Sequence, residues 1–511
     1  MNRDKQNLPI FREKDAILSS VKNNIVTVII GDTGCGKSTQ VPQYLISAGW
    51  NHIVCTQPRR LSTISLSERV SKEMYCEETG DIGYQIRFES SGRGTKLKFV
   101  TEGVLIKQIQ SDPLFQQYSM VIMDEVHERH ITTDVLLGMI KLIALKRPEF
   151  RVVIMSATMD PQQFIEFFQK PVEGVANQLS VNVIQVPGRT YPVTIHYCPL
   201  EEIGVKRRRG PREERESGLY FGTEELDPAP YLRILKEIDQ NMDVNERGDV
   251  LIFVSGLKEI NTIINAFGDY ATSSGRWVLL RLHSTLQSSE QQLIFNPTPP
   301  VAFHSFIESQ GVRKCIVSTN IAETSVTIPN VRYVIDSGKS KELAEPSLNA
   351  GSTVQLHEYF ISRSSARQRA GRAGRTGPGV CYRLYSEEDY YEMMEYSIPE
   401  ILRGNLDDTV LLIHLLHALK ILSVASIAEF PLLDCPSSLT IRHAEKRLEN
   451  YGALNHAHEI TSLGVLLSSL PLPVSQGYFL VMAAFLGQPY LGVVVCSTLS
   501  FQVFFCCLSK Q

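Results

Sequence analysis

Ile25-Val26-Thr27-Val28-Ile29-Ile30-Gly31-Asp32-Thr33-Gly34-Cys35-Gly36-Lys37-Ser38-Thr39 runs from a β-branched apolar stretch into a glycine-rich turn that ends in a lysine and two hydroxyl residues. The apolar part reads as a buried strand of a parallel sheet, and the turn as the entry to a helix. Gly31 and Gly36 let the backbone fold into a nest of N–H groups, where any side chain would block a ligand's approach. Lys37 adds a charge that can follow terminal phosphates, Ser38 offers a hydroxyl to a divalent cation, and the helix directs its positive end at the same anion. A second apolar run, Met120-Val121-Ile122-Met123, ends in Asp124-Glu125-Val126-His127. Alone, an Asp-Glu pair there is commonest as a solvated strand end. Beside the glycine loop it becomes the other half of a nucleoside triphosphate site. Asp124 is then placed to hold magnesium and Glu125 to orient or deprotonate the attacking water. The candidate nucleotide contacts are Gly31, Asp32, Thr33, Gly34, Cys35, Gly36, Lys37, Ser38 and Thr39, and the candidate magnesium ligands Ser38, Asp124 and Glu125. ATP or another NTP and Mg2+ are the expected cofactors.

Composition permits what the motifs demand. The 511 residues are 43% hydrophobic, enough for several cores in three or four domains. A net charge of −4 carries no overall basic signature, although a groove can be basic on an acidic surface. Ten cysteines without metal-type spacing read as reduced thiols of an intracellular protein, and the polar amino terminus has no signal-type apolar core.

Strand candidates at 25–30, 53–56, 97–100, 120–123 and 152–155 alternate with helix-like stretches, the pattern of a parallel α/β sheet. Gly188 to Pro192 reads as a linker, and Lys206-Arg207-Arg208-Arg209 opens a mixed-charge segment read as a solvated loop. A second block follows, with strands at 250–254, 314–318 and 331–335 and no glycine-lysine loop of its own. Two such blocks with one phosphate loop suggest a nucleotide held in a shared cleft. Gln368-Arg369-Ala370-Gly371-Arg372-Ala373-Gly374-Arg375 supplies what that cleft needs. Arg372 and Arg375, three apart, are expected on one helical face, reaching a γ-phosphate as arginine fingers in cis.

In this order, with Thr56-Gln57-Pro58-Arg59-Arg60, Thr101-Glu102-Gly103, Ser156-Ala157-Thr158, Phe253-Val254-Ser255-Gly256 and Ser318-Thr319-Asn320 to Val326-Thr327, the motifs resemble those of the DEAH/RHA branch of superfamily 2 RNA helicases over about residues 8 to 485. Details such as YQIRFES and RTGPGVCYRLY are most similar to the branch associated with nonsense-mediated mRNA decay. The resemblance implies two RecA-like domains, 1–190 and 191–385, a winged-helix domain, 386–450, and a partial helical ratchet domain, 451–511. It implies ATP-driven 3'-to-5' translocation on single-stranded RNA, in the nucleus or cytoplasm. Gln368 would position the attacking water, Arg69 and Phe295 would sandwich the base, and Ser325 and Thr327 would complete the nucleotide contacts. Arg59, Arg60, Thr101, Ser255 and Thr319 would hold successive RNA phosphates without reading sequence. A β-hairpin wedge is expected near 340–357, and partners could include a glycine-rich-domain activator or decay and splicing factors.

Departures accompany the resemblance. Val126 replaces the alanine of DEAH, Pro329 stands where relatives often carry Asp, and 301–310 interrupts a join that is shorter in relatives. Similarity fades near Leu486, and no charged residue occurs from Thr461 to Ser509. The expectation there is a truncated ratchet domain without the OB-fold that helps grip RNA, hence weak strand binding and poor unwinding. Glycines and Pro489 break the run 479–508, so it reads as a buried helix and not as a membrane span. The alternative function is a truncated RNA- or partner-binding module with weak or uncoupled ATPase. The arginine block disfavours a P-loop kinase or transporter.

Overall fold

The computed structural model describes residues 8–32, 34–157, 160–172, 178–188, 191–200, 226–241, 248–283, 286, 290, 293–294, 313–323, 328–344, 355–421 and 426–500. They pack as two units. One comprises Met1–Leu105, Gln117–Glu128 and Ala144–Ile398, and the other Ile106–Gln116, Arg129–Ile143 and Pro399–Gln511, so far as these segments are described.

The first unit holds two parallel sheets. Strands β1 (Val26–Gly31), β2 (Ile53–Gln57), β3 (Ile82–Ile86), β4 (Glu89–Ser91), β5 (Leu97–Thr101), β6 (Met120–Met123), β7 (Arg151–Ser156) and β8 (Val181–Val186) lie in the order β4-β3-β5-β2-β6-β7-β1-β8. Only β4 is antiparallel. Every residue of β2 and β6 is buried, as expected of central strands covered by helices on both faces. One face packs Ile29, Cys55, Phe99, Ile122 and Val153 against Ile17 and Val21 of the helix Lys14–Asn23, Val41 and Leu45 of the helix Lys37–Ser47, and Val70 of the helix Arg60–Met74.

The second sheet contains β9 (Val193–Tyr197), β10 (Asp249–Phe253), β11 (Trp277–Leu282), β12 (Arg313–Ser318), β13 (Val331–Asp336) and a later strand numbered β16 (Gly379–Arg383), in the parallel order β11-β12-β10-β13-β16-β9. Between β13 and β16, β14 (Lys339–Ala344) and β15 (Gln355–Phe360) form an antiparallel pair in which Lys341 faces Glu358. The wedge expected near 340–357 falls on this pair, and its tip lies outside the described residues. So do the charge run after Lys206 and the insertion 301–310.

The second unit is mostly helical, including Asp407–Ala418, Ser438–Asn450, Ser462–Ser469, Val474–Phe485 and Pro489–Ser500. Arg129 holds Asp134 through two contacts of 2.8 and 3.0 Å and Asp434 through one of 2.6 Å. Phe485, Leu486 and Tyr490 are each 80% exposed or more. No single described helix is long and apolar enough to cross a bilayer, and the apolar pair Ser462–Ser469 and Val474–Phe485 is bent by 111°.

Candidate active site

The glycine loop, the Asp-Glu pair and the strand-facing candidates lie at or just past the carboxyl ends of parallel strands, where open α/β sheets bind ligands, whereas Arg372 and Arg375 come from the turn before β16. β1 leads into the glycine loop, in which Gly34 and Gly36 have φ of +92° and +101°. These are left-handed conformations that favour glycine. The helix Lys37–Ser47 starts after Gly36 without a side-chain cap, so its first N–H groups face the loop. Lys37 is buried, with Nζ donating to the carbonyls of Gly31 and Asp32. Thr39 Oγ1 donates to Gly36 O. Cys35 is buried, and burial pushes its thiol above the ordinary value. Asp32 and Gly34 are exposed, Ser38 is half-buried, and Thr33 lies outside the described residues.

β6 delivers Asp124 and Glu125, both buried. Asp124 accepts from Gln57 Nε2 at 2.7 Å and is hydrogen-bonded to Ser38, which ties the two halves of the site together. Its carboxyl is pushed up to about 6 by burial first and by the adjacent Glu125 second. Glu125 is also raised by burial, while Lys37, Arg372 and Arg59 pull it down. Its backbone sits at φ +54°, and Oε2 is 3.5 Å from His127 Nδ1. His127 Nδ1 in turn accepts from the amide of Ala157 at 3.3 Å. Since Nδ1 accepts, the ring is neutral, and burial lowers its pKa to about 4. Val126 is fully buried and fills the strand end.

The arginine block differs from expectation in one respect. The helix Arg363–Gly371 ends before either finger, so Arg372 is its C-cap and Arg375 lies in the turn that follows. The reason is close packing. A Cβ on Gly374 would lie 2.6 Å from Tyr191 O, and one on Gly379 would collide with the carbonyl of Ala373, so the backbone folds back instead of continuing as a helix. From that turn Arg375 Nε comes within 3.9 Å of where a Cβ on Gly34 would be. Arg372 donates to Glu323 O, and both guanidiniums interact with the charge of Glu125. Burial lowers both, Arg372 well below its ordinary value, with Arg375 as the next cause, and Arg375 to about 10. Two desolvated like charges beside a glycine nest make a site that favours an anion. Gln368 is half-buried and takes part in further interactions.

Arg69 is largely exposed and is oriented by Glu73, 3.0 Å away. Burial works against the Glu73 carboxylate, but hydrogen bonds from Gln43, Arg69 and Gln40 outweigh it and hold the group at about 2. Phe295, Ser325 and Thr327 lie outside the described residues, as does Thr158. Of the strand-facing candidates, Arg59 donates to Ile321 O at 3.0 Å and lies 3.4 Å from Glu128, while Arg60 is exposed at the start of its helix. Thr101 ends β5, Ser255 follows β10, and Thr319 follows β12. Ser255 Oγ donates to Glu358.

Several organising residues carry no role in the sequence reading. Gln57 and His127 stand inside quoted motifs, so their position was the available signal. Arg369 is fully buried: Nε donates to Glu323 at 3.1 Å and Nη1 to Asp336 at 2.9 Å, and the guanidinium lies 4.9 Å from the Phe253 ring. Tyr385 donates to the other oxygen of Asp336 at 2.9 Å. Among the described residues no group of three His, Cys, Asp or Glu gathers as a metal site. A hydroxyl and a carboxylate completed by substrate phosphates would suit magnesium, which favours few protein ligands.

A DEAD/DEAH box helicase model matches residues 12–167, and a helicase conserved C-terminal domain model matches residues 232–377. The chain is 42% identical over 504 residues to the probable ATP-dependent RNA helicase DHX34 of Homo sapiens, covering 98% of this chain and 40% of that protein. It is 35% identical over 499 residues to the pre-mRNA-splicing factor ATP-dependent RNA helicase prp22 of Schizosaccharomyces pombe, covering 95% of this chain and 38% of that protein. The crystal structure of the Escherichia coli DEAH/RHA helicase HrpB superposes with a TM-score of 0.79 at 26% identity, covering 98% of this chain and 57% of that one. The chain thus spans about 40% of the length of its DHX34 relatives.

Proposed function

Because this chain belongs to the DEAH/RHA helicases, with DEAD/DEAH-box and helicase C-terminal regions and RecA-like parallel sheets, we propose that it is an NTP-driven RNA helicase or RNP-remodelling enzyme that moves 3'-to-5' along single-stranded RNA. One observation carries the reading. Arg372 and Arg375, from the turn before the last strand of one sheet, reach Glu125 and the glycine loop of the other.

Each group then has a task. Gly34, Gly36 and the uncapped helix start would cradle phosphate, and Lys37 would leave its backbone carbonyls for phosphate oxygens. Ser38 and Asp124 would hold magnesium, with Glu125 beside them; when bound, the ion neutralises charge building on the phosphates. Glu125, raised by burial, has the elevated basicity suited to orienting water and accepting its proton. Gln368 would position the same water. Arg372 and Arg375 stabilise the charge of the transferring phosphoryl group. Arg69, with Phe295, would stack on the base, and Ser325 and Thr327 would add contacts around the nucleotide. His127 accepts from Ala157 and lies 3.5 Å from Glu125, and Arg59 joins the loop after β2 to Ile321, so these contacts lead from the site toward the strand-facing edge through which hydrolysis would act. There Arg59, Arg60, Thr101, Ser255 and Thr319 would grip phosphates with little sequence preference. We assign residues 1–190 and 191–385 as the motor domains, 386–450 as the winged-helix domain and 451–511 as ratchet-derived. A glycine-rich activator and decay or splicing factors are the partners this reading favours, in the nucleus or cytoplasm.

NTP hydrolysis with and without single-stranded RNA tests the proposal. RNA should stimulate the rate. Lys37→Ala should lose binding and hydrolysis together, and Glu125→Gln should keep nucleotide binding and grip RNA persistently. Hydrolysis at the parent rate by Glu125→Gln would remove Glu125 from the mechanism.

A further inference from the structure

β10 places Ser255 just past its carboxyl end, and the β14–β15 pair runs beside it. Glu358 of β15 accepts a hydrogen bond from Ser255 Oγ on one carboxylate oxygen and lies 3.1 Å from Lys339 Nζ through the other. Next to it, Lys341 Nζ is 2.7 Å from Glu259 Oε1. That second pair closes over Gly256, where a Cβ would sit 2.8 Å from Glu259 Oε2 and 3.0 Å from Lys341 Nζ. A hydroxyl and two ammonium groups therefore converge on one strip, which is the donor set of a phosphate site. A carboxylate of the same chain takes the hydroxyl and the first ammonium. The cluster is accessible, because the side chains of Lys339 and Lys341 are 29% and 30% exposed and that of Glu358 is 16% exposed.

Resting on the reading that this edge carries single-stranded RNA, we propose that Glu358 is an intramolecular competitor for the RNA backbone. Its carboxylate stands on Ser255 and Lys339 where a phosphate would bind, and the phosphate displaces it. Glu358 also faces the strand with like charge, so affinity at this step is lower than the donors alone would give. A translocating enzyme has to release each phosphate it grips, and a competitor supplied by the chain shortens that dwell.

Fluorescence anisotropy of a labelled oligouridylate on the full 511-residue chain tests this. Glu358→Gln should bind roughly fivefold tighter at low ionic strength, with the gain shrinking as salt screens the lost charge. Glu358→Ala, which also frees the hydroxyl, should gain at least as much. Both gains should be smaller in a Ser255→Ala background. If the parent binds RNA while both Glu358 variants bind equally or more weakly, Glu358 supports the strand and the competitor role is overturned with the RNA reading intact. If the parent chain binds no RNA, the RNA reading falls and the competitor role falls with it.

Discussion

Arg372 and Arg375 sit where a guanidinium is costly to keep charged: Arg372 is buried and Arg375 half-buried, desolvation lowers both, Arg375 opposes Arg372, and Glu125 offsets only part of that. On the proposed assignment, a triphosphate would relieve the opposition and the arginines would favour the charge that peaks during transfer. Replacing either with Ala should lower kcat by on the order of 10³, read in steady-state hydrolysis. Binding of a nucleoside diphosphate should change much less. Burial disfavours the charged form at His414 as well, whose pKa is lowered to about 4 from 6.5, chiefly by desolvation and then by His458 and His417. Between those values the unfolded chain takes a proton that the folded chain refuses. The stabilisation is therefore complete above pH 6.5 and is lost as pH falls toward about 4. The loss should be on the order of 1–2 kcal/mol after allowing for partial solvent access. In urea titrations across that window, His414→Gln should flatten the slope. An unchanged slope would mean the ring is solvated.

At the level of elements, strands carried by a continuous apolar run were legible and strands without one were not. β1, β2, β5, β6, β7, β10, β12 and β13 each came within a residue of the apolar run that announced them, because burial on both faces demands continuous apolar sequence. β8 alternates in Val-Asn-Val-Ile-Gln-Val, and β3 mixes Gly and Gln into Ile-Gly-Tyr-Gln-Ile, so neither produces such a run. The phosphate loop and the Asp-Glu pair were readable because their chemistry is local. The network of Arg369, Glu323 and Asp336 was not, since its members are distant in sequence and meet only after β13 and the arginine helix pack. The finger turn failed as a helix for a similar reason: its glycines serve contacts with Tyr191 and Ala373 that no spacing reveals. Gly379→Ala gives that turn a test. The added Cβ meets the carbonyl of Ala373, backbone that cannot shift without moving Arg375. Single-turnover hydrolysis should slow by at least about tenfold, as misplaced catalytic groups do, while nucleotide binding persists.

For the whole molecule, the proposed nucleotide site draws on two sheets of a single packing unit, with Lys37, Asp124 and Glu125 buried and Arg69, the arginine assigned to the base, largely exposed. Stacking on Arg69, as proposed, would accept any base, because it would touch no base edge. ATP, GTP, CTP and UTP should therefore all be hydrolysed, with kcat/KM values within about tenfold of one another. A strong preference for ATP in a competition assay would place an edge-reading group near the base.

β9 carries a consequence for how the chain is made. It leaves the ribosome before any other described strand of its sheet, yet among the described residues its only partner there is β16, with Val193 pairing Gly379. At ordinary elongation rates those intervening residues, about 185 of them, take roughly 10–40 s to synthesise. Through that interval β9 is a nascent edge with no ladder to join, while the first sheet is already complete. The second sheet consequently closes last, and it closes with the same stretch of chain that brings Arg372 and Arg375. The proposed arginine fingers and the end of that exposure arrive together during translation.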